Sequence, residues 1–284
     1  MNFDSALKHM SVESMLVGAA QFLGTHGLAC FFAALLMLLL AVSLLRWRLL
    51  RYPLLMESGE HSPAVLALRF ALGFILIVLA TVLFIGISDE IGVDEELARF
   101  DLTLADAIRQ NIPSPALQVF AWITHFGDTA TFIGLGFVIA IMLLVRREFW
   151  LAAGWIIAVA GNSILNKTLK AVFERMRPLG DHGVALTEGW SFPSGHSSGS
   201  VVVYGMLSYI LIRHTSQAWH LPILLLAVAI AFSTGCSRVF LHYHYASDVI
   251  AGFASGAAWL AVCISTIELG RWYRRHKRRN NLKN

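Results

Sequence analysis

Three polar clusters interrupt an otherwise apolar chain, and each carries residue types that can bind or react with a phosphate. The first contains Lys170 and Arg177, two cations seven positions apart, which is about two helical turns. An arginine offers a planar fork of N–H donors and a lysine a compact charge, so the two can grip two oxygens of one phosphoryl group. A basic flank of a membrane helix would explain either residue alone.

The second cluster, residues 193–196, has the sequence Pro-Ser-Gly-His and directly precedes an apolar run. If a helix begins near Ser194, its hydroxyl and the free N–H groups of Gly195 and His196 form an anion site that the helix dipole reinforces. An ordinary capped helix start explains Ser194 equally well. A histidine beside such a site favours a role in chemistry.

The third cluster contains Arg238, His244 and Asp248. His244 and Asp248 are four positions apart and therefore lie on one helix face, where the carboxylate can accept the imidazole N–H and fix the tautomer. The other ring nitrogen is then free to attack an electrophile. A His-Asp pair at this spacing is more often structural when it stands alone, but here an arginine and two other polar clusters accompany it.

The composition indicates a membrane protein, since 57% of the 284 residues are hydrophobic and only 14% are charged, against roughly a quarter in soluble domains. Seven of the 22 Lys and Arg residues lie in the last fourteen positions. We interpret them as a cytoplasmic tail beside a membrane helix and not as a nucleic-acid site. The three cysteines are far apart and indicate neither a disulfide framework nor a metal site.

The hydropathy pattern predicts seven spanning segments that position the clusters. They cover residues 27–45, 66–87, 129–145, 149–165, 197–212, 221–232 and 249–267. A shorter apolar piece, 15–23, predicts an interfacial helix. The connection 88–128 predicts a surface helix over 100–108, a break at Pro113 and Pro115, and a second helical run over 116–126.

The distribution of basic residues predicts the orientation in the membrane. Most Lys and Arg outside the clusters lie on the side of the C-terminal tail, which is therefore predicted to be cytoplasmic. The three clusters then face outward, into the extracytoplasmic space of a cell or inner membrane. Cations placed against this rule require a functional reason.

Together the clusters resemble the three-part signature of the type 2 phosphatidic acid phosphatase superfamily, which also contains the vanadium haloperoxidases. The matching residues are Lys170, Arg177, Pro178, Pro193, Ser194, Gly195, His196, Ser237, Arg238, His244 and Asp248. Each part alone is a weak signal, but the set in this order and spacing is specific, and with its helices it covers residues 65–270. Within the superfamily the chain looks like a bacterial lipid phosphatase or an undecaprenyl-diphosphatase.

The resemblance implies an all-α fold, a polytopic membrane helical bundle with a six-helix phosphatase core and one extra N-terminal transmembrane helix. Residues 1–64 would hold the interfacial segment and the extra helix. Residues 65–270 would form the membrane domain, and residues 271–284 the basic cytoplasmic tail.

The resemblance also implies a role for each site residue. His244 would be the nucleophile that forms a phosphohistidine, Asp248 would orient it, and His196 would be the general acid. The residues that would hold the phosphoryl oxygens are Lys170, Arg177, Ser194, Gly195 and Arg238. No metal and no cofactor are expected, because a basic cage can itself stabilise the charge of phosphoryl transfer.

Two positions depart from the usual family pattern. Ala246 stands where proline is frequent, and His242 stands where a smaller residue is common. His242 could be mistaken for the nucleophile, but the spacing from Arg238 favours His244.

The expected function is a metal-independent lipid phosphatase with the bilayer and a lipid phosphate or diphosphate as partners. Undecaprenyl diphosphate, phosphatidylglycerol phosphate, phosphatidic acid and lipid A phosphates all remain open, as does the oligomeric state. The alternative within enzymes is a lipid phosphotransferase that uses the same site. A lipid transporter or scramblase is the alternative outside enzymes, and it is disfavoured because the ionisable clusters lie at span ends and not at mid-membrane.

Overall fold

The computed structural model of the protein describes residues 3–51, 63–92, 95–178 and 189–281, and these ranges contain ten α-helices and no strand. The helices are α1 (Phe3–Thr25), α2 (Gly27–Arg51), α3 (Pro63–Asp89), α4 (Glu96–Asn111), α5 (Ser114–Ile123), α6 (Thr129–Val145), α7 (Phe149–Phe173), α8 (Gly195–His214), α9 (Gln217–Phe240) and α10 (Ala246–Asn281). A short 3-10 turn, Thr124–Gly127, joins α5 to α6. The all-α prediction is confirmed.

Five helices in the described ranges are long and apolar enough to cross a membrane, namely α2, α3, α7, α9 and α10. A sixth candidate forms when α5, the 3-10 turn and α6 are taken together, with a bend of 42° between the two parts. The remaining predicted span, residues 197–212 in α8, falls outside this set because its serines and glycines lower the mean hydropathy of the helix. The protein is a multi-pass membrane protein.

One core lies among α6, α7, α8 and α10, and α8 is at its centre. Trp155, Met206 and Leu143 are fully buried there, and Ile267 of α10 closes the cluster. The indole N–H of Trp155 donates to the carbonyl of Gly136, 3.0 Å away, which satisfies its polar atom inside the bundle. The serines of α8 face its neighbours, so this helix is held by protein contacts and is less apolar than a lipid-facing span.

The approach of α8 to α10 is close enough to need a glycine. A Cβ added to Gly252 would lie 2.6 Å from the carbonyl oxygen of Ser194, a backbone atom that cannot move aside. The absence of a side chain therefore lets the start of α10 lie directly against the start of α8. Ser194 N–H donates to the carbonyl of Asp248 at the same place, 3.0 Å away.

A second core joins the N-terminal helices to the rest of the bundle. Phe31 of α2 contacts Phe120 and Phe232, and the rings of Phe120 and Phe240 stack with centroids 4.2 Å apart. The predicted surface helix is α4, and its apolar face packs against α1 and this cluster. The predicted interfacial piece 15–23 lies inside the longer helix α1.

The last helix extends past residue 270, where the membrane domain was predicted to end. α10 continues without a break to Asn281 and carries the basic residues on its last turns. Arg271 pairs with Glu268 across 3.2 Å, one turn apart on α10, which favours this continuation.

The topology brings all three polar clusters to one end of the bundle. α7 and α9 end there, while α8 and α10 begin there. The basic end of α10 lies at the other end of the bundle, where Arg213 of α8 pairs with Glu268 across 2.8 Å.

Candidate active site

His244 lies in the tight turn between α9 and α10 and is 4% exposed. Its Nδ1 is 3.3 Å from Oδ2 of Asp248, a fully buried carboxylate in the first turn of α10. Its Nε2 is 3.3 Å from Nη1 of Arg177. If Nδ1 carries the proton and donates to Asp248, Nε2 holds a lone pair directed at the guanidinium.

Burial lowers the pKa of His244 to about 3, and the neighbouring carboxylate of Asp248 opposes this shift only in part. The imidazole is therefore neutral at neutral pH, which is the form in which Nε2 can act as a nucleophile.

Arg177 and Lys170 are placed by two chain segments that run side by side after α7. Arg177 donates from Nε to the carbonyl of Gly189 and from Nη1 to the carbonyl of Tyr243, at 2.9 and 2.8 Å. Lys170, in the last turn of α7, donates to the carbonyls of Trp190 and Ser191. These backbone contacts fix both cations beside His244.

Arg238 approaches from α9 and is 8% exposed. Its Nη1 donates to Oγ1 of Thr124 across 2.9 Å, and its guanidinium lies 4.0 Å from the ring centroid of Tyr243. Its Nε is buried and has no hydrogen-bond partner among the described residues. A buried charged donor without a partner is costly in a folded protein, so this group is suited to an anion.

The start of α8 supplies the second cluster. Ser194 is the N-cap, and its hydroxyl accepts from the N–H of Ser197 across 3.4 Å. Gly195 and His196 line the same cavity as His244, whereas Ser194 is fully buried and is not part of the cavity wall. The structure thus brings Gly195 and His196 to the site and places the Ser194 side chain behind them, as a helix cap.

Asp128, which sequence reasoning missed, contacts the histidine of this cluster. Its Oδ1 is 3.0 Å from Nε2 of His196, and its Oδ2 is 2.6 Å from Nδ1 of His125. Gly127 precedes it, and a Cβ there would lie 2.6 Å from Cδ2 of His196. Asp128 directly precedes α6 and looks like a helix cap in the sequence, and nothing local links it to a histidine 68 positions later.

A second missed carboxylate, Asp101 of α4, supports Asp248 from behind. Arg175 bridges the two, with Nη2 2.9 Å from Oδ2 of Asp101 and Nη1 2.7 Å from Oδ1 of Asp248. Asp101 also accepts from the backbone N–H and the hydroxyl of Ser247. Its position in the amphipathic pattern of α4 was the available signal, since an acidic residue there falls on the buried face.

A cavity of about 820 Å³ extends from this polar group between α6, α7 and α8. Its charged end is lined by Lys170, Arg177, Arg238, His196 and His244. Its other end is lined by apolar residues, among them Phe137, Ala140 and Trp155. No described residue of α1 or α2 lines it, and His242, in the left-handed region at φ 56°, is not part of the wall either.

The sequence profile of the PAP2 superfamily matches residues 147–272, which include α7 to α9, most of α10 and all three polar clusters. The chain is also 33% identical over 142 residues to phosphatidylglycerophosphatase B of Bacillus subtilis (strain 168), an alignment that covers 49% of this chain and 69% of that protein. The chain belongs to the PAP2 superfamily.

Other PAP2 relatives carry different names. The chain is 27% identical over 178 residues to lipid A 1-phosphatase of Rhizobium johnstonii, covering 55% of this chain and 69% of the relative. It is 30% identical over 157 residues to dolichyldiphosphatase 1 of Homo sapiens, covering 52% and 65%. These relatives indicate a membrane lipid phosphatase of the PAP2 type.

The PAP2 fold is also found in a solved structure. The crystal structure of a transmembrane PAP2 type phosphatidylglycerolphosphate phosphatase from Bacillus subtilis matches with a TM-score of 0.60 and 27% identity. The match covers 66% of this chain and 93% of that one. The family resemblance expected from the three clusters is confirmed.

Proposed function

We propose that the protein hydrolyses a lipid phosphate or lipid diphosphate at the outer face of the membrane, through a phosphohistidine on His244. The observation that carries this proposal is the position of His244 Nε2, 3.3 Å from Arg177 Nη1, at the charged end of a cavity whose other end is apolar. A nucleophile and cations next to a hydrophobic channel suit a substrate with a phosphate head and a hydrocarbon tail.

In the first step, His244 Nε2 attacks the terminal phosphorus and the bond from this phosphorus to the leaving oxygen breaks. The leaving oxygen belongs to the lipid alcohol of a monophosphate or to the retained phosphate of a diphosphate. His196 donates a proton to that oxygen, and the lipid leaves with one phosphate fewer. Asp248 accepts the Nδ1–H of His244 and stabilises the positive charge that develops on the ring. The product on the enzyme is a phosphohistidine.

In the second step, water attacks the phosphohistidine and the bond from phosphorus to nitrogen breaks. His196, neutral after the first step, accepts the proton of the water. Inorganic phosphate leaves, and both histidines return to their starting states.

The cage around the phosphoryl group stabilises the charge in both steps. Lys170, Arg177 and Arg238 supply positive charge from three chain segments. The first N–H groups of α8, which include those of Gly195 and His196, lack partners within the helix and complete the cage. Since phosphoryl transfer requires mainly positioning and charge stabilisation, we propose that this cage works without a metal.

The basic end of α10 supports the proposed orientation, because it lies at the end of the bundle opposite the cage. By the positive-inside rule that end is cytoplasmic and the cage faces outward, across an inner or cell membrane.

The test is phosphate release from phosphatidic acid, phosphatidylglycerol phosphate and a polyprenyl diphosphate, with the purified protein in detergent and a chelator present. We expect full activity with the chelator and a loss of at least about a thousandfold in His244→Ala, as for a removed nucleophile. Mass spectrometry of a rapidly quenched reaction should find phosphate on His244.

His242→Ala is the matched control, since this histidine is two positions away and outside the cavity wall. It should retain turnover. Full activity in His244→Ala, or turnover only after magnesium is added, would contradict the mechanism.

A further inference from the structure

One face of α7 lines the cavity along its length, and its chemistry changes in order along the helix. The residues on this face include Ile156, Val159, Ala160, Ser163, Lys167 and Lys170. The first three are apolar, the fourth is a small polar residue and the last two are cations. The wall therefore passes from a surface for hydrocarbon to a surface for anions within four helical turns.

Lys167 lies at the boundary between these two parts. It is three positions before Lys170, so it lies on the same helix face and about 4.5 Å nearer the apolar end. Lys170 is half-buried and held by backbone carbonyls, while Lys167 is exposed. The proposed mechanism does not use Lys167, because Lys170 is the cation next to His244.

We propose that Lys167 binds a second phosphate of the substrate, the one that remains on the lipid product. The enzyme would then favour lipids that carry two neighbouring phosphate groups over lipid monophosphates. This inference rests on the proposed function, because it assumes that the phosphate to be removed lies in the cage beside His244.

The geometry orders the parts of such a substrate along the cavity. The terminal phosphate lies in the cage at Lys170, Arg177 and Arg238, and the hydrocarbon tail lies along Ile156 and Val159. A second phosphate between them falls at the level of Lys167, where an ammonium group can supply a charge-assisted hydrogen bond.

Lys167 would also act on the rate of the reaction. When the bond to the terminal phosphorus breaks in a diphosphate, the leaving oxygen belongs to the retained phosphate, and negative charge grows there. A cation next to this group stabilises the transition state more than the bound substrate, so its removal lowers kcat as well as kcat/KM.

A basic residue near a span end commonly extends toward the headgroup region and contacts no specific ligand. A lysine that only extends toward the headgroups can do so from any face of the helix. Lys167 lies on the face that lines the cavity, one turn from Lys170 of the cage. This position favours binding of a substrate phosphate over a simple extension toward the headgroups.

The test compares substrates that differ by one phosphate. Lys167→Gln is assayed with farnesyl diphosphate against farnesyl monophosphate, and with phosphatidylglycerol phosphate against phosphatidic acid. We expect the ratio of kcat/KM, two phosphates over one, to fall about tenfold to a hundredfold, which is the effect of one lost hydrogen bond to a charged group. A loss with the farnesyl pair indicates that the second phosphate is part of a diphosphate. A loss with the phosphatidylglycerol phosphate pair indicates that it is part of a phosphodiester.

Two further variants serve as controls. Lys167→Arg keeps the charge and should keep the ratio within about threefold of the wild type. Arg109→Gln removes an exposed cation of α4 that does not line the cavity, and its ratio should equal that of the wild type.

An unchanged ratio in Lys167→Gln for both substrate pairs would overturn this inference and leave the proposed function intact. An equal loss on all four substrates would also overturn it, because Lys167 would then act on the cage or on folding. If the wild-type protein releases phosphate from none of the four lipids, it is the proposed function that fails.

Discussion

At the scale of single residues, the two histidines of the cavity are held by carboxylates in different ways. The Nδ1 of His244 contacts the carboxylate of Asp248, and the ring is almost fully buried. Burial keeps the imidazole neutral, and the contact with Asp248 directs Nε2 at the cage. Burial, together with the charge of Arg238, lowers the pKa of His196 to about 4, and the carboxylate of Asp128, 3.0 Å from its Nε2, opposes this shift in part. Asp128 thus favours the protonated form of His196 that a proton donor needs, and the negative charge of a bound phosphate would raise the pKa of His196 further.

The contact between Asp128 and His196 gives a prediction at this scale. In Asp128→Asn the protonated imidazole loses its counter-charge, so the basic limb of the kcat/KM profile should move to lower pH. Turnover of a lipid phosphate should fall about tenfold to a hundredfold, the usual contribution of general acid catalysis or less. A phosphate ester with a good leaving group should lose much less, because its oxygen leaves without a proton.

The measurement is a pH–rate profile for both substrates, with His196→Ala beside it. His196→Ala should show the same dependence on the leaving group, and more strongly. Equal losses for good and poor leaving groups, with no shift of the basic limb, would show that Asp128 does not act through proton transfer. His125→Gln tests whether the histidine on the other oxygen of Asp128 contributes.

At the scale of helices, α4 is the element that links the N-terminal part of the chain to the site. Its apolar face packs against α1, and its one buried carboxylate, Asp101, binds Arg175 and the start of α10. Asp101 is thus a positioning residue that acts on Asp248 through Arg175. A helix of the long connection 88–128 thereby helps to hold Asp248, the partner of the proposed nucleophile His244.

Asp101→Asn removes one charge from this buried network. Arg175 then keeps Asp248 as its only carboxylate partner among the described contacts, so Asp248 should be drawn away from His244. We expect kcat to fall about tenfold while KM stays within about threefold, because the change affects the chemical step and not lipid binding. The measurement is steady-state kinetics with a lipid phosphate.

Asp106→Asn is the matched control, since Asp106 is an exposed carboxylate on the same helix. It should leave kcat unchanged. A rise in KM with unchanged kcat in Asp101→Asn would contradict a positioning role. Recovery of kcat in Asp101→Glu would support the role, because the longer acid keeps the charge opposite Arg175.

At the scale of the whole molecule, the charges of the two bundle ends differ. One end carries the cage, and the other carries the basic turns of α10 and the pair of Arg213 and Glu268. We expect single-cysteine reporters to reveal this polarity in a background without Cys30, Cys236 and Cys263. Gln110→Cys lies at the cage end and Arg147→Cys at the other end, and both positions are exposed.

In right-side-out membrane vesicles, an impermeant maleimide should label the reporter at position 110 and spare the one at position 147. Inside-out vesicles should give the opposite result, because the positive-inside rule places the basic end in the cytoplasm. Labelling of position 147 alone in right-side-out vesicles would reverse the proposed orientation.

The sequence by itself determined the fold class and the family, and it predicted the main chemical groups of the site. Long apolar runs are sufficient to predict helices that cross a membrane, because backbone groups in lipid must bond within their own segment. The spacing of four between His244 and Asp248 places them on one helix face without any tertiary information. The three clusters lie at the ends of successive apolar runs, so an up-and-down bundle must bring them to one end.

The tertiary structure alone decided which residues support these groups. Asp101 is 146 positions from Ser247 and Asp128 is 68 positions from His196, and no local pattern records such pairs. It also showed that the Ser194 side chain caps α8 and that α8 is buried among other helices, although its sequence resembles a simple span. These features depend on which helix faces contact each other. Those contacts are decided by packing between helices that are distant in sequence.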